Sequence, residues 1–128
     1  MPALGQGVSL RGIYHEDFQY TLLLNSAMTS ADVGKPVSLD ITANNTVKVA
    51  ADGDTIFGKL DSFEDRKVEG IKTGAVSLKG GYLFPFTATL AVGDSVVGNG
   101  AGGVKKAAAA NNTVVVEISG TNAVVVIK

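Results

Sequence analysis

The chain has 128 residues, a formal net charge of −1, no cysteine and a single histidine. That is one domain's worth of chain, long enough to bury roughly two-thirds of its unfolded surface. Without cysteine there are no disulfides, no thiolate chemistry and no cysteine-type zinc site, and near-neutral charge supplies no field for nucleic acid or an anionic membrane.

The opening stretch, "MPALGQGVSLRGIYHE", holds three glycines and one proline without sustained periodicity. It lacks the basic start and apolar core of a signal peptide. Residues 1–17 read as an extended N-terminal arm that gains order by lying on another surface. Residues 18–128 read as a single β-rich domain. "FQYTLLLN" (Phe18–Asn25) is the first strand candidate, and "SAMTSADVG" can form a short helical turn capped by Ser26 or Ser30. From there the pattern is β throughout: "KPVSLDI", "TVKVA", "TIFGKLDSFED", "KVEGIKTGAVSL", "GYLFPF", "SVV", "GVKKA", "TVVVEIS" and "AVVVIK". Gly, Asn and Asp turns separate these segments, which predicts an all-β barrel or sandwich of short strands. No apolar run approaches the roughly 18 residues that cross a bilayer, so a soluble protein is expected.

The order of segments repeats. "VGKPV" at Val33 parallels "VGDSV" at Val92, an offset of 59, and "VKVAA" at Val47 parallels "VKKAA" at Val104, an offset of 57. "TIFGKL" at Thr55 then parallels "TVVVEI" at Thr113, an offset of 58. A competing match, "ANNTV" at Ala43 and Ala110, has an offset of 67 but covers only turn chemistry and a strand start. The longer alignment predicts a β unit used twice.

Several short motifs raise chemical possibilities. Gly98, Gly100 and Gly103 spell G-x-G-x-x-G after an apolar run, with Glu117 further on, as in a dinucleotide fingerprint. Only eleven residues follow Glu117, too few to complete a parallel βαβ sheet. The repeat sets this loop against "LDITANNT" (Leu39–Thr46), which has no glycine, so a strand connection is expected. His15 heads "HED" but has no second histidine to share a metal or a catalytic triad. "DGD" at Asp52–Asp54 lacks the remaining ligands of a calcium loop and reads as an Asp-Gly turn. Asp61, Glu64, Asp65 and Glu69 surround Arg66-Lys67 and read as a solvated hairpin tip rather than paired catalytic acids. The sequons at Asn44 and Asn111 read as turns. "GYLFPF" is expected to pack as core or cover an interface, with Pro85 at an edge strand or a turn. No catalytic residue, cofactor site or metal site is expected.

The segments "VGKPVSL", "TVKVAADGDTIFGKLDSF", "KVEGIKTGAVSL" and "LAVGDSVVGNGAGGVKKA", in that order, resemble the small capsid decoration (cement) proteins of tailed bacteriophages. The similarity runs over about Ala31–Ala108; the arm carries no match. It implies a compact β-barrel-like domain that assembles, often as a homotrimer, on the exterior of an expanded capsid in the virion. There it would clamp neighbouring major capsid protein subunits against the pressure of packaged DNA. The partners implied are the major capsid protein and the chain itself, with no nucleic acid, no membrane and no enzymatic turnover. Contact residues are then expected on the arm, at Pro2, Leu4, Val8, Leu10, Arg11, Ile13, Tyr14 and His15, because an unpatterned arm can add a strand to a neighbour. Two other readings remain open from the residues. One is a small β domain binding a nucleotide or glycan through the glycine loop or the Asp61–Glu69 acids. The other is a tail or baseplate accessory protein.

Overall fold

The computed structural model describes residues 19–128 and, before them, the backbone of two short strands, β1 (Gly7–Leu10) and β2 (Ile13–Glu16). β1 and β2 pair antiparallel, from Gly7 opposite Glu16 to Leu10 opposite Ile13, a pairing the sequence did not announce. The rest is β structure apart from one turn of 3₁₀ helix at Ser30–Asp32. Thr29 caps that turn, not Ser26 or Ser30. Its hydroxyl accepts from the Ala31 amide while Asp32 accepts from the Thr29 amide, the reciprocal arrangement of a capping box.

The strands of the first half are β3 (Gln19–Leu24), β4 (Pro36–Leu39), β5 (Thr46–Val49), β6 (Gly58–Leu60), β7 (Glu64–Arg66) and β8 (Ile71–Ser77). Five of them close into a barrel in the order β3-β5-β4-β6-β8 and back to β3, with β7 added along β8. Only the β3–β5 contact is parallel. The second half contributes β9 (Gly80–Pro85), β10 (Val96–Gly98), β11 (Val104–Lys106), β12 (Thr113–Ser119) and β13 (Asn122–Ile127). Here β12-β13-β9 form one antiparallel sheet and β10-β11 a hairpin.

The second half follows the plan of the five barrel strands, although its strands stay in two sheets, β12-β13-β9 and β10-β11, joined by one bridge. β4–β5 corresponds to β10–β11, β8–β3 to β13–β9, and β6–β8 to β12–β13. The parallel β3–β5 contact reappears as a single parallel bridge between Phe86 and Val104. Individual bonds match as well. The Gly34 amide donates to the Leu60 carbonyl and the Leu60 amide to Lys35; likewise Gly93 donates to Val115 and Val115 to Asp94. Leu60 lies opposite Val76, and Val115 opposite Val125. The resulting pairs Val37/Val96, Val47/Val104, Leu60/Val115 and Val76/Val125 are all fully buried. Burying one such side chain is worth roughly 1.5–3 kcal/mol, so a pattern that fixes four per ring largely decides the fold.

The repeat expected from the sequence is therefore present, with one correction. The first two offsets hold, but on the third strand Leu60 matches Val115, an offset of 55 rather than 58. The reason is unequal connections. The first ring breaks its strand after Leu60 and resumes it as β7, whereas β12 runs on through a bulge between Val115 and Glu117. The "ANNTV" match is not the structural one.

Each ring has its own core. Leu24, Met28, Val37, Val47, Leu60 and Val76 fill the first; Phe84, Val96, Val104, Val115, Ala123 and Val125 are among those filling the second. The segment 50–57 stitches the rings together. Because successive residues of an extended chain face opposite ways, Ile56 enters the second core while Phe57 packs against the first. Backbone bonds from Gly53 to Gly98 and from Gly98 to Asp54, both 2.9 Å, hold the seam, and Lys105 pairs with Asp52 at 2.7 Å.

Candidate functional site

The glycine-rich stretch is the loop of the β10–β11 hairpin. Asn99 organises it: its amide donates to the Gly103 carbonyl at 3.1 Å, and its Oδ1 accepts from the amides of Ala101 and Gly103. In the first ring Asp40 does the same. Its amide donates to Thr46 at 2.9 Å, and its Oδ1 accepts from the Thr42 amide at 3.0 Å. The two loops are counterparts, as the repeat implied, and each is built on an Asx turn. Gly100 and Gly102 have φ of +77° and +84°, which glycine adopts without strain. Gly98 and Gly103 serve close approach instead. A Cβ on Gly98 would lie 2.6 Å from the Ala51 carbonyl oxygen, and one on Gly103 would lie 2.4 Å from that of Pro85. A strand follows the loop, not a helix, so no helix N-terminus stands behind it to hold a pyrophosphate.

The acidic residues are spread over different tasks. Asp54 accepts from the Ala51 amide, the Ser38 hydroxyl and the Lys48 ammonium, and its pKa is lowered because these bonds outweigh the cost of its burial. Asp61 accepts from Gln19 and Ser77. Arg66 lies 3.7 Å from both Glu64 and Glu69 on the exposed β7 hairpin, the solvated tip expected for this stretch, but Asp61, expected in the same tip, is tied to the barrel instead. Among the described residues no group of three metal-ligating side chains comes together. Asn111 and Thr113 of the second sequon bond inward, to Val96 and to each other. In "GYLFPF", Phe84 is fully buried, Tyr82 and Phe86 pack on the same core, and Pro85 lies in β9 at the sheet edge.

Asp40 carries the largest displacement of any described carboxylate. Hydrogen bonds from the Thr42 hydroxyl (2.5 Å), the Asn25 side chain (2.9 Å) and the Thr42 amide lower its pKa to about 2. A depressed carboxylate contributes stability that is complete above its ordinary pKa of 3.8 and is lost as pH falls through about 2. Asp40→Asn, which copies the residue at the matching position Asn99, is expected to keep the fold. It should also flatten the loss of stability between pH 4 and pH 2, as read from urea midpoints at successive pH values.

Of the arm residues expected to make contacts, Val8, Leu10, Ile13, Tyr14 and His15 fall on the backbones of β1 and β2. Their side chains, and Pro2, Leu4 and Arg11 altogether, lie outside the described residues. The described surface has its own candidate for contact. A cleft of about 450 Å³ opens between the two rings, with Leu39, Ile56, Phe57, Leu78 and Ile127 as its apolar lining and Lys79 and Lys128 beside them. Leu39 is half-exposed although its strand neighbours Val37 and Ser38 are buried. Nothing in the sequence marked these residues as a group. They come together only because the ends of β4, β8 and β13 meet across the seam.

No protein-family model matches the chain, and no curated protein matches it in sequence.

Proposed function

We propose that this chain is a structural virion protein that binds the outer surface of a tailed-phage capsid and stabilises the expanded shell by bridging major capsid protein subunits. The observation that carries the reading is the duplication. A bridging protein needs two contact faces in one chain, and two rings of the same plan stitched through residues 50–57 supply two related modules in a fixed relation. The segments that resemble decoration proteins are the ones the repeat uses. "VGKPVSL" leads into β4, and "VGDSVVGNGAGGVKKA" runs through β10 and β11. A modest contact repeated across a lattice gives firm overall attachment through multivalency. Self-association as a trimer would cover exposed sheet edges.

On this reading the arm, through Pro2, Leu4, Val8, Leu10, Arg11, Ile13, Tyr14 and His15, makes the capsid contact. Residues 19–128 contain both cores, so a chain starting at Gln19 is expected to fold with a β-type circular dichroism spectrum and a cooperative melt. It should lose co-sedimentation with expanded capsids, which the full chain retains. Undiminished binding by the shortened chain would remove the arm from the contact. Absence of binding by the full chain would remove the capsid.

A further inference from the structure

We infer that Val33 and Val92 are matching contact points, each seated in the same shallow apolar site on one of two neighbouring major capsid subunits. The inference rests on the capsid reading and adds to it the residues outside the arm that make the bridge. The repeat uses one turn twice. In the first half the Lys35 amide closes it on the Asp32 carbonyl at 3.1 Å, and in the second the Asp94 amide closes it on the Ala91 carbonyl at 3.1 Å. Gly34 and Gly93, with φ of +92° and +95°, take the third place of each, where a type II turn needs a positive φ. Their amides donate to the Leu60 and Val115 carbonyls at 2.7 and 2.8 Å, which ties each turn to its sheet. Val33 and Val92 occupy the second place, at the tip, and are 42% and 65% exposed.

The fold does not ask for valine there. Neither side chain belongs to a core. The same turn occurs a third time at Ala51–Asp54, closed by the Asp54 amide on the Ala51 carbonyl at 3.0 Å with Gly53 at φ +86°, and its tip is Asp52. A polar tip therefore serves the turn equally well. Isolated surface valines are ordinary, but two on matching, anchored turns give one chain two copies of one small apolar tip. Their polar surroundings match as well. A carboxylate–ammonium pair stands beside each, Asp32 with Lys35 at 2.8 Å and Asp94 with Lys106 at 3.8 Å. The site that fits both tips is an apolar depression with a polar rim. A chain presenting the tip twice fits a partner that presents this site in repeated copies, as neighbouring subunits of a shell do. A β-branched side chain on a closed turn also has little freedom to lose on contact.

The test uses Val33→Ser, Val92→Ser and the double variant, each in the full chain, titrated onto expanded capsids that lack this protein. Val68→Ser, at a 98% exposed position of the turn between β7 and β8, serves as the reference. Each single variant is expected to bind about tenfold more weakly and the double variant about a hundredfold, with melting midpoints unchanged. Val68→Ser should bind like the parent chain. Undiminished binding by the double variant, where the parent binds, would overturn the inference and leave the capsid reading standing. Loss at one valine alone would overturn the matching of the two tips, and an equal loss at Val68 would assign the effect to surface apolarity in general. No binding by the parent chain would remove the capsid reading and this inference with it. Val33→Thr and Val92→Thr, which keep the branched shape, repeat the titration should a serine variant fold poorly.

Discussion

Gly74→Ala is expected to destabilise the protein by about 2–3 kcal/mol and to lower its melting midpoint by roughly 10 °C. Gly74 lies in β8, where the chain leaving β6 passes directly over it. A Cβ there would lie 2.3 Å from the Ser62 carbonyl oxygen and 2.9 Å from Leu60 Cδ1. The crossing segment has no freedom to retreat. The Asp61 amide donates to the Ala75 carbonyl at 2.8 Å, and the Ala75 amide donates to the Ser62 hydroxyl at 3.0 Å. Accommodation therefore means breaking those bonds or moving Leu60 out of the core. The second ring supplies the contrast, because the matching position is Ala123, fully buried and packed in its core. Ala123→Gly should cost only about 1 kcal/mol, from backbone entropy and one lost methyl group. Chemical denaturation of both variants checks the pair. A Gly74→Ala midpoint equal to that of the parent protein would mean that the chain does not cross at Ser62.

The second large effect is expected at Thr113, where Thr113→Val should cost about 2 kcal/mol by leaving a buried amide without its acceptor. In the first ring β4 and β6 are joined by backbone pairing, with Val37 opposite Gly58 and the Phe57 amide bonded to the Val37 carbonyl at 2.8 Å. At the matching seam of the second ring, side chains take over. The Thr113 hydroxyl accepts from the Val96 amide at 2.9 Å, and Asn111 Nδ2 donates to the Val96 carbonyl at 2.9 Å. Thr113 is 1% exposed, so water is not at hand to replace the hydroxyl. Valine keeps the shape and removes the bond, whereas Thr113→Ser keeps the bond and removes one methyl group. The serine variant should retain most of the stability in the same denaturation experiment. Equal losses for valine and serine would show that packing, not the hydroxyl, holds this seam.

That substitution of side chains for ladder explains how much of the fold was legible in the sequence. Valine-rich runs cut by Gly, Asn and Asp turns identify the strands well, because alternation and turn chemistry are local. The hairpins β4–β5 and β10–β11 reveal the repeat because their turns keep nearly the same length and the same valine–lysine strand follows. On the third strand the threonines that open "TIFGKL" and "TVVVEI" favour an alignment three residues away from the structural one. The buried Leu60 and Val115 are what correspond, and only their bonds to Lys35 and Asp94 reveal it. The outer strands were not legible as a repeat at all. "QYTLLL" and "GGYLFP" have little in common beyond apolar character, and their equivalence rests on pairing with β8 and β13. The cleft was hidden for the same reason. Leu39, Phe57, Leu78 and Ile127 are neighbours by ring closure, a non-local event with no signature in sequence spacing. The glycine loop is a connection, as its place in the repeat predicts, and Gly98 and Gly103 answer to close backbone contacts that no spacing announces.

The proposed attachment to a capsid is tested most directly by a density map of the native particle with the 128-residue chain fitted into it. The account predicts the five-stranded barrel and the β unit joined to it on the outer surface of the expanded shell, contacting more than one major capsid subunit, with the N-terminal segment running into the contact. Density for this chain inside the shell, in the tail or baseplate, or nowhere on the particle would contradict it.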